Sequence, residues 1–233
     1  MPSCSEAGKL HPNFENQAGR TARDRTRIYG QHLLQSIIMT LPQTTYKAKY
    51  TYADYLSWDD QERWELINGE AWGMSPAPSR SHQRVLVRLL HVLYGHLKNS
   101  GCEVYPAPFD VRLPEEERAE DHAVTTVVQP DISVICDRKK LDERGCVGAP
   151  DLVVEILSPS TAAKDLKVKR ALYEQHGVQE YWLFHPADQT VMAYRPDKDG
   201  RYIRAEIFDR EDVLGSPLFD GLEIQLSEIF QED

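Results

Sequence analysis

One acidic residue inside an otherwise apolar run constrains this chain more than any other feature. The segment 152–157 reads LVVEIL, and its β-branched, apolar character is typical of a strand buried on both faces. A lone buried carboxylate is costly unless a partner compensates its charge. Glu155 therefore requires a cation, a hydrogen-bond donor or a metal ion beside it. The structural alternative is an ion pair with no role in chemistry.

A second carboxylate opens another predicted buried strand. Asp131 follows Pro130 and precedes the apolar run at 132–136. Alone, such a residue is typical of a turn or of a cap at the start of a strand. Two carboxylates on neighbouring central strands, however, form a hard-oxygen site that suits Mg²⁺ or Mn²⁺. Asp131 and Glu155 together favour a metal site over the structural alternatives.

The helix predicted over 162–176 carries a lysine on its apolar face. At about 100° per residue, one side of this helix holds Lys169 together with Asp165, Leu166, Leu172, Tyr173 and His176. The opposite side holds Lys164, Lys167 and Arg170. A solvated lysine is not expected within an apolar stripe. Lys169 then either reaches the carboxylate site or, as the alternative, extends to the surface or only pairs with Asp165 at i,i+4.

The remaining pattern indicates an α/β fold. The dipeptide Asn68-Gly69 predicts a hairpin between strands at 63–67 and 70–74. Leucine and valine recur at helical spacing over 79–100. Shorter strands are predicted at 103–105, 108–113, 180–185 and 190–195, followed by a hairpin near 197–200 and a turn at 226–230. Strands mixed with two substantial helices are typical of the α/β class.

The hairpin and the long helix supply further candidate site residues. A two-residue turn pairs Glu65 with Trp72 and Ile67 with Glu70, which places all four on one face. Glu65 or Glu70 then either extends the acidic site or lies on a solvated hairpin edge. His82, at the start of the long helix, either caps the helix or contacts phosphate, or is simply a packed or exposed histidine.

The chain divides near residue 38. Residues 1–38 carry a net charge of +2 and the remainder carries −12, within a total of −10. The first part has almost no apolar periodicity up to about Arg27, which predicts a disordered extension. Met39 is a plausible alternative start of translation. We expect residues 39–233 to form one domain.

Composition excludes several classes of protein. No run approaches the ~18–20 apolar residues that span a bilayer, and the first residues lack the apolar core of a secretory signal. The cysteines form no CxxC pair, which argues against a zinc finger or a disulfide scaffold and predicts a cytoplasmic location. The acidic balance is unlike that of a protein that coats DNA, so any phosphate contact needs a local basic patch or a metal ion.

Several segments together resemble a known nuclease group. They are ELINGE (65–70), MSPAP (74–78) with His82, QPDISV (129–134), GAPDLVVEILSPST (148–161), Asp165-x3-Lys169-x3-Tyr173 and GVQEYW (177–182). As a set, which covers roughly residues 46–230, they are similar to the Uma-two type of restriction endonuclease-like proteins in the PD-(D/E)xK nuclease superfamily.

The resemblance implies a restriction-endonuclease-like central mixed sheet flanked by helices, with additional hairpins. It also implies that Asp131, Glu155 and the backbone carbonyl of Ile156 bind the metal. In the general superfamily pattern a lysine lies two residues after the glutamate, a position that Leu157 occupies here. The Uma-two pattern instead places the lysine on the following helix, which matches Lys169.

The resulting hypothesis is a metal-dependent endonuclease that uses Mg²⁺ or Mn²⁺ to hydrolyse DNA. Asp131, Glu155 and Lys169 are its catalytic candidates, with Asp165 and Tyr173 as supporting residues of the same motif. The alternative is a relative of the fold that binds nucleic acid or a protein without cutting. The charge of −12 leaves this alternative open, whereas the presence of Asp131, Glu155 and Lys169 together argues against it. A homodimer formed through the Trp182 region or the C-terminal hairpin is a further hypothesis.

Overall fold

A computed structural model describes residues 49–58, 62–74, 77–116, 119–159 and 161–231. All of these belong to one compact unit, Tyr46–Asp233. The predictions about residues 1–38 and about Met39 lie outside the described residues.

The described chain contains both helices and strands, with the strands grouped in runs between the helices. The strands are β1 (Trp64–Ile67), β2 (Glu70–Gly73), β3 (Glu103–Pro106), β4 (Asp110–Arg112), β5 (Val127–Val128), β6 (Ile132–Ile135), β7 (Leu141–Asp142), β8 (Gly145–Val147), β9 (Leu152–Ile156), β10 (Glu180–His185), β11 (Thr190–Tyr194), β12 (Glu206–Phe208), β13 (Val213–Gly215) and β14 (Glu223–Gln225). The helices are α1 (Tyr52–Tyr55), α2 (Arg80–Leu97), a 3-10 turn (Arg138–Lys140), a π-helix (Lys164–Lys169), α3 (Arg170–His176) and α4 (Leu226–Ile229).

The strands form two six-stranded mixed sheets and a small hairpin. The first sheet has the order β2-β1-β5-β4-β8-β7, and the second has the order β12-β11-β10-β9-β6-β3. In the second sheet β9 runs parallel to β10 and antiparallel to β6. The predicted α/β class with a mixed sheet and flanking helices is confirmed, while the additional strands are numerous enough to make a second sheet.

Both faces of the second sheet are covered, which explains the apolar strands. Val85, Leu89 and Leu93 of α2 pack with Leu152 and Val154 on one face. On the other face, Val153 and Leu183 of the second sheet pack in one cluster with Ile67, Val111 and Val128 of the first sheet. Side chains alternate along a strand, so Glu155 shares the face of Val153 and points toward the first sheet.

Local signals behaved as the sequence predicted in the hairpin and the long helix. Glu65 pairs with Trp72 and Ile67 with Glu70. Asn68 and Gly69 have φ values of 53° and 84°, the conformation that a type I′ turn requires. Ser79 accepts a hydrogen bond from the His82 N–H and caps α2.

Two features of the second sheet differ from expectation. Trp182 is fully buried and its indole N–H donates to Glu180, so this side chain does not present a dimer surface. Cys102 and Cys136 form a disulfide beside the β3–β6 pair, although nothing in their sequence spacing predicts it. Within the described ranges, no helix has both the length and the apolar character needed to cross a membrane.

Candidate active site

The two predicted carboxylates line one cavity of about 480 Å³. Asp131 lies directly before β6 and Glu155 lies on the adjacent strand β9. The first sheet contributes Glu65, and the π-helix contributes Lys164, Asp165 and Lys169. Ile156 and His82, which are also candidate site residues, line the cavity as well. The cavity therefore forms where the two sheets and one helix meet.

Asp131 is held by two donors. Its Oδ2 accepts from the backbone N–H of Ile156 at 2.7 Å and lies 3.1 Å from Nε2 of His82. In the β6–β9 register Ile132 pairs with Val154, so Pro130 falls opposite Ile156 when the register is extended by two residues. Because proline has no N–H, it cannot donate to the Ile156 carbonyl. The Pro-Asp dipeptide thus supplies a carboxylate, and its proline offers no N–H to the Ile156 carbonyl that lies opposite in the extended register.

Glu155 is 5% exposed and receives two donors on one oxygen. Lys169 Nζ lies 2.7 Å from Oε1, and the Tyr173 hydroxyl donates to the same atom at 2.9 Å. Burial raises the pKa of Glu155 well above its ordinary value, although Lys169 opposes the rise. The carboxylates of Asp165, Asp131 and Glu65 raise this pKa further. Glu155 therefore lies where negative charge exceeds positive charge.

Lys169 connects the two sheets. Its Nζ lies 2.8 Å from Oε1 of Glu65 and 3.8 Å from Oδ1 of Asp165, in addition to its contact with Glu155. Burial disfavours the ammonium, but these carboxylates outweigh it and hold the pKa of Lys169 well above its ordinary value. Glu65 is 1% exposed, yet Lys169 and Lys164 overcome the effect of burial and lower its pKa to about 2.

The sequence placed Lys164 on the solvent side of the helix, and this was wrong. The segment Lys164–Lys169 is a π-helix, in which the N–H of Arg170 donates to the Asp165 carbonyl five residues earlier. This wider turn brings residues five apart onto one face. Lys164 therefore joins Lys169 beside Glu65, whereas Lys167 is exposed.

Residues 52–227 match the model of the Uma2 family, which is described as "Putative restriction endonuclease". The chain belongs to this family. A crystal structure described as "a putative nuclease belonging to DUF820", from Anabaena variabilis, is 25% identical, with a TM-score of 0.60 over 77% of this chain and 97% of the other. An uncharacterized protein from Synechocystis sp. is 28% identical over 158 residues, which are 66% of this chain and 78% of the relative.

In this Uma2 chain most, but not all, of the candidate residues line the cavity. Asp131, Glu155, Ile156, Lys169, Glu65, His82 and Asp165 line the cavity. Tyr173 is not among the lining residues, but its hydroxyl donates a hydrogen bond to Glu155. Glu70, by contrast, is exposed and does not line the cavity.

Sequence reasoning also missed Arg63 and Gln129 as residues of the Uma2 cavity. Arg63 and Gln129 both line it, and the Arg63 guanidinium donates to the Gln129 side chain. The Gln129 backbone N–H donates to Glu65 at 2.9 Å. The position of Gln129 two residues before Asp131 was the available signal, because both lie in the short link between β5 and β6.

The donor chemistry of the Uma2 cavity fits a hard divalent cation. Within the described residues, no three His, Cys, Asp or Glu side chains are arranged to hold a metal by themselves. Mg²⁺ is commonly bound by one or two carboxylates, with waters and substrate phosphates completing its shell. Among the described residues, no hydrogen-bond donor contacts Oδ1 of Asp131 or Oε2 of Glu155. These two carboxylate oxygens and the Ile156 carbonyl are oxygen ligands of the kind that Mg²⁺ binds.

Proposed function

We propose that this Uma2 protein is a divalent-metal-dependent endonuclease that hydrolyses DNA phosphodiester bonds. The observation that carries the proposal is the meeting of Asp131 and Glu155 in one cavity, with the Lys169 ammonium 2.7 Å from Glu155. The family description and the nuclease description of the Anabaena structure support the same reaction class.

Asp131, Glu155 and the Ile156 carbonyl would hold Mg²⁺ or Mn²⁺. A bound ion of this kind polarises a phosphoryl oxygen and lowers the pKa of water. His82 and the Ile156 N–H keep Asp131 in place, and Tyr173 does the same for Glu155. The carboxylates are thus oriented before any substrate arrives.

Lys169 supplies a fixed positive charge next to the reacting phosphate. Glu65 holds the ammonium at 2.8 Å independently of Glu155, so the lysine stays in position when Glu155 serves as a ligand. A preorganised charge of this kind orients the attacking water and offsets the negative charge that develops on phosphorus. Water attacks in line, and no covalent enzyme intermediate is required.

The test is plasmid cleavage by the purified full-length protein with Mg²⁺, Mn²⁺ or EDTA. We expect nicking or linearisation with either metal and none with EDTA. Folded protein that leaves the plasmid intact in every condition would instead support the non-cleaving alternative, which the charge of −12 on residues 39–233 leaves open.

A matched pair of variants tests the metal assignment. Glu155→Gln should keep the fold but lose Mn²⁺ binding by calorimetry and lose cleavage. Glu70→Gln changes an exposed glutamate outside the cavity, so it should leave both properties unchanged. Equal Mn²⁺ affinity of Glu155→Gln and the parent would show that Glu155 is not a ligand.

A further inference from the structure

A second cavity, of about 530 Å³, adjoins the candidate active site. The two cavities share Gln129 as a wall. The loop between β3 and β4 also separates them, since Ala107 lines the first cavity and Pro108 and Phe109 line the second. The two cavities are therefore neighbours on the molecule.

One wall of the second cavity is flat and aromatic. Tyr105 and Phe109 stack with their ring centroids 4.3 Å apart and an interplanar angle of 4°. Both side chains are half-buried, and Pro108 extends the same apolar wall. Aromatic side chains of this kind form the stacking surfaces on which proteins bind unpaired bases.

The other wall is rich in hydrogen-bond acceptors and poor in free positive charge. Asp110, Asp142 and Glu143 line it. Asp110 already accepts from Tyr52, Tyr55 and Gln129, and Oδ1 of Asp142 accepts from Arg112. Among the described residues, no donor contacts Oδ2 of Asp142 or the Glu143 carboxylate, and the arginine of the lining, Arg144, pairs through its guanidinium with Asp121. Such a wall repels phosphate but accepts hydrogen bonds from N–H groups. Carboxylates accept in this way from the exocyclic amino group of cytosine.

We propose that the second cavity binds one unpaired nucleobase of the substrate, next to the phosphodiester bond that the first cavity receives. The preferred base carries an exocyclic amino group. This inference rests on the proposed nuclease function. A base within a duplex is paired and stacked, so the substrate must be single-stranded or locally opened at this position.

The test measures binding without metal, so that it does not depend on cleavage. The full-length protein in EDTA is titrated against a fluorescein-labelled single-stranded oligonucleotide by anisotropy, with one abasic position moved along the strand. Loss of one stacked base should weaken binding about 10-fold at one position. Phe109→Leu keeps an apolar side chain but removes the aromatic face, so it should cause a similar loss. The two losses should not add.

The control is Tyr94→Leu, at an aromatic residue of α2 that is 60% exposed and lines neither cavity. It should leave the abasic profile unchanged. An equal effect of every abasic position, or additive losses with Phe109→Leu, would overturn the proposal. The scan on the wild-type chain needs no substitution, so it remains decisive if Phe109→Leu does not fold.

Plasmid cleavage measured in parallel separates the two proposals. A protein that cuts DNA but shows no position-specific abasic effect lacks the base site. A protein with the position-specific effect but without metal-dependent cleavage retains the base site and is not a nuclease.

Discussion

Lys169 is a buried cation whose charge is stabilised by carboxylates of both sheets. Its side chain is 4% exposed, and its ammonium contacts Glu65 and Glu155 and lies 3.8 Å from Asp165. Removal of one partner from a buried ion pair costs about 3–5 kcal/mol, because the other charge stays buried without compensation. A variant at this position therefore changes both stability and chemistry, and the two effects have to be separated.

Lys169→Met should slow metal-dependent cleavage by a factor on the order of 10² or more and should also lower the melting temperature. Adding Glu65→Gln removes one uncompensated carboxylate, so the double variant should regain stability but not cleavage. The exposed residue Lys167 is the control, because Lys167→Met should change stability by less than ~1 kcal/mol and leave cleavage intact. Recovery of both properties in the double variant would reduce Lys169 to an architectural role.

Glu65 gives the fold a defined response to acid. Its pKa falls from 4.5 to about 2 on folding, so the unfolded chain takes up the proton first as the pH decreases. The stability that Glu65 contributes is therefore present above pH 4.5 and is lost as the pH falls toward 2. We expect the melting temperatures of the parent and Glu65→Gln to differ most near neutral pH and to converge on acidification. A constant difference across the titration would contradict this assignment.

At the scale of elements, the β6–β9 register defines the site more than any single side chain does. The register places the Asp131 carboxylate against the Ile156 N–H and places a proline opposite the Ile156 carbonyl. One antiparallel pair thereby combines a side-chain oxygen and a main-chain oxygen. The neighbouring side chain on the same strand, Glu155, adds the second carboxylate.

Pro130→Ala tests whether the Ile156 carbonyl binds the metal because residue 130 has no N–H to donate to it. Alanine restores an N–H opposite that carbonyl, and a hydrogen bond worth ~0.5–1.5 kcal/mol would compete with the cation. Mn²⁺ affinity should fall about 2- to 10-fold by calorimetry, with the melting temperature preserved. Unchanged affinity would indicate that the Ile156 carbonyl is not a ligand.

The sequence predicted the elements that have a strong local signal. The Asn68-Gly69 turn, the helix α2 and the buried strand β9 all appear with the expected register or face. The sequence could not predict the π-helix, because a helical period of 3.6 residues was assumed and one wider turn is not visible in residue types. The sequence could not decide whether Glu65 lies on a solvated hairpin edge or in the site. Its burial depends on the packing of two sheets whose strands are distant in sequence.

The whole molecule is acidic, and the positive charge at the site is local. The cavity holds Arg63, Lys164 and Lys169, although the full chain has a net charge of −10. Such a distribution favours recognition at one point over coating of a nucleic acid. It agrees with a site that uses a few fixed charges and a cation rather than a broad basic surface.

A variant that begins at Met39 tests the division of the chain at residue 38. Up to about Arg27 this extension has almost no apolar periodicity, so it offers little surface to bury. The shortened protein should melt within a few degrees of the full chain and retain its solubility. A large drop in melting temperature would show that the domain depends on these residues.

The position of the ion-pair cluster between the two sheets has a consequence for local opening. Glu65 belongs to the first sheet and Glu155 to the second, while Lys169 contacts both. A fluctuation that separates the sheets must break an ion pair of Lys169 in addition to the apolar contacts. We therefore expect the cluster to oppose local opening at this boundary.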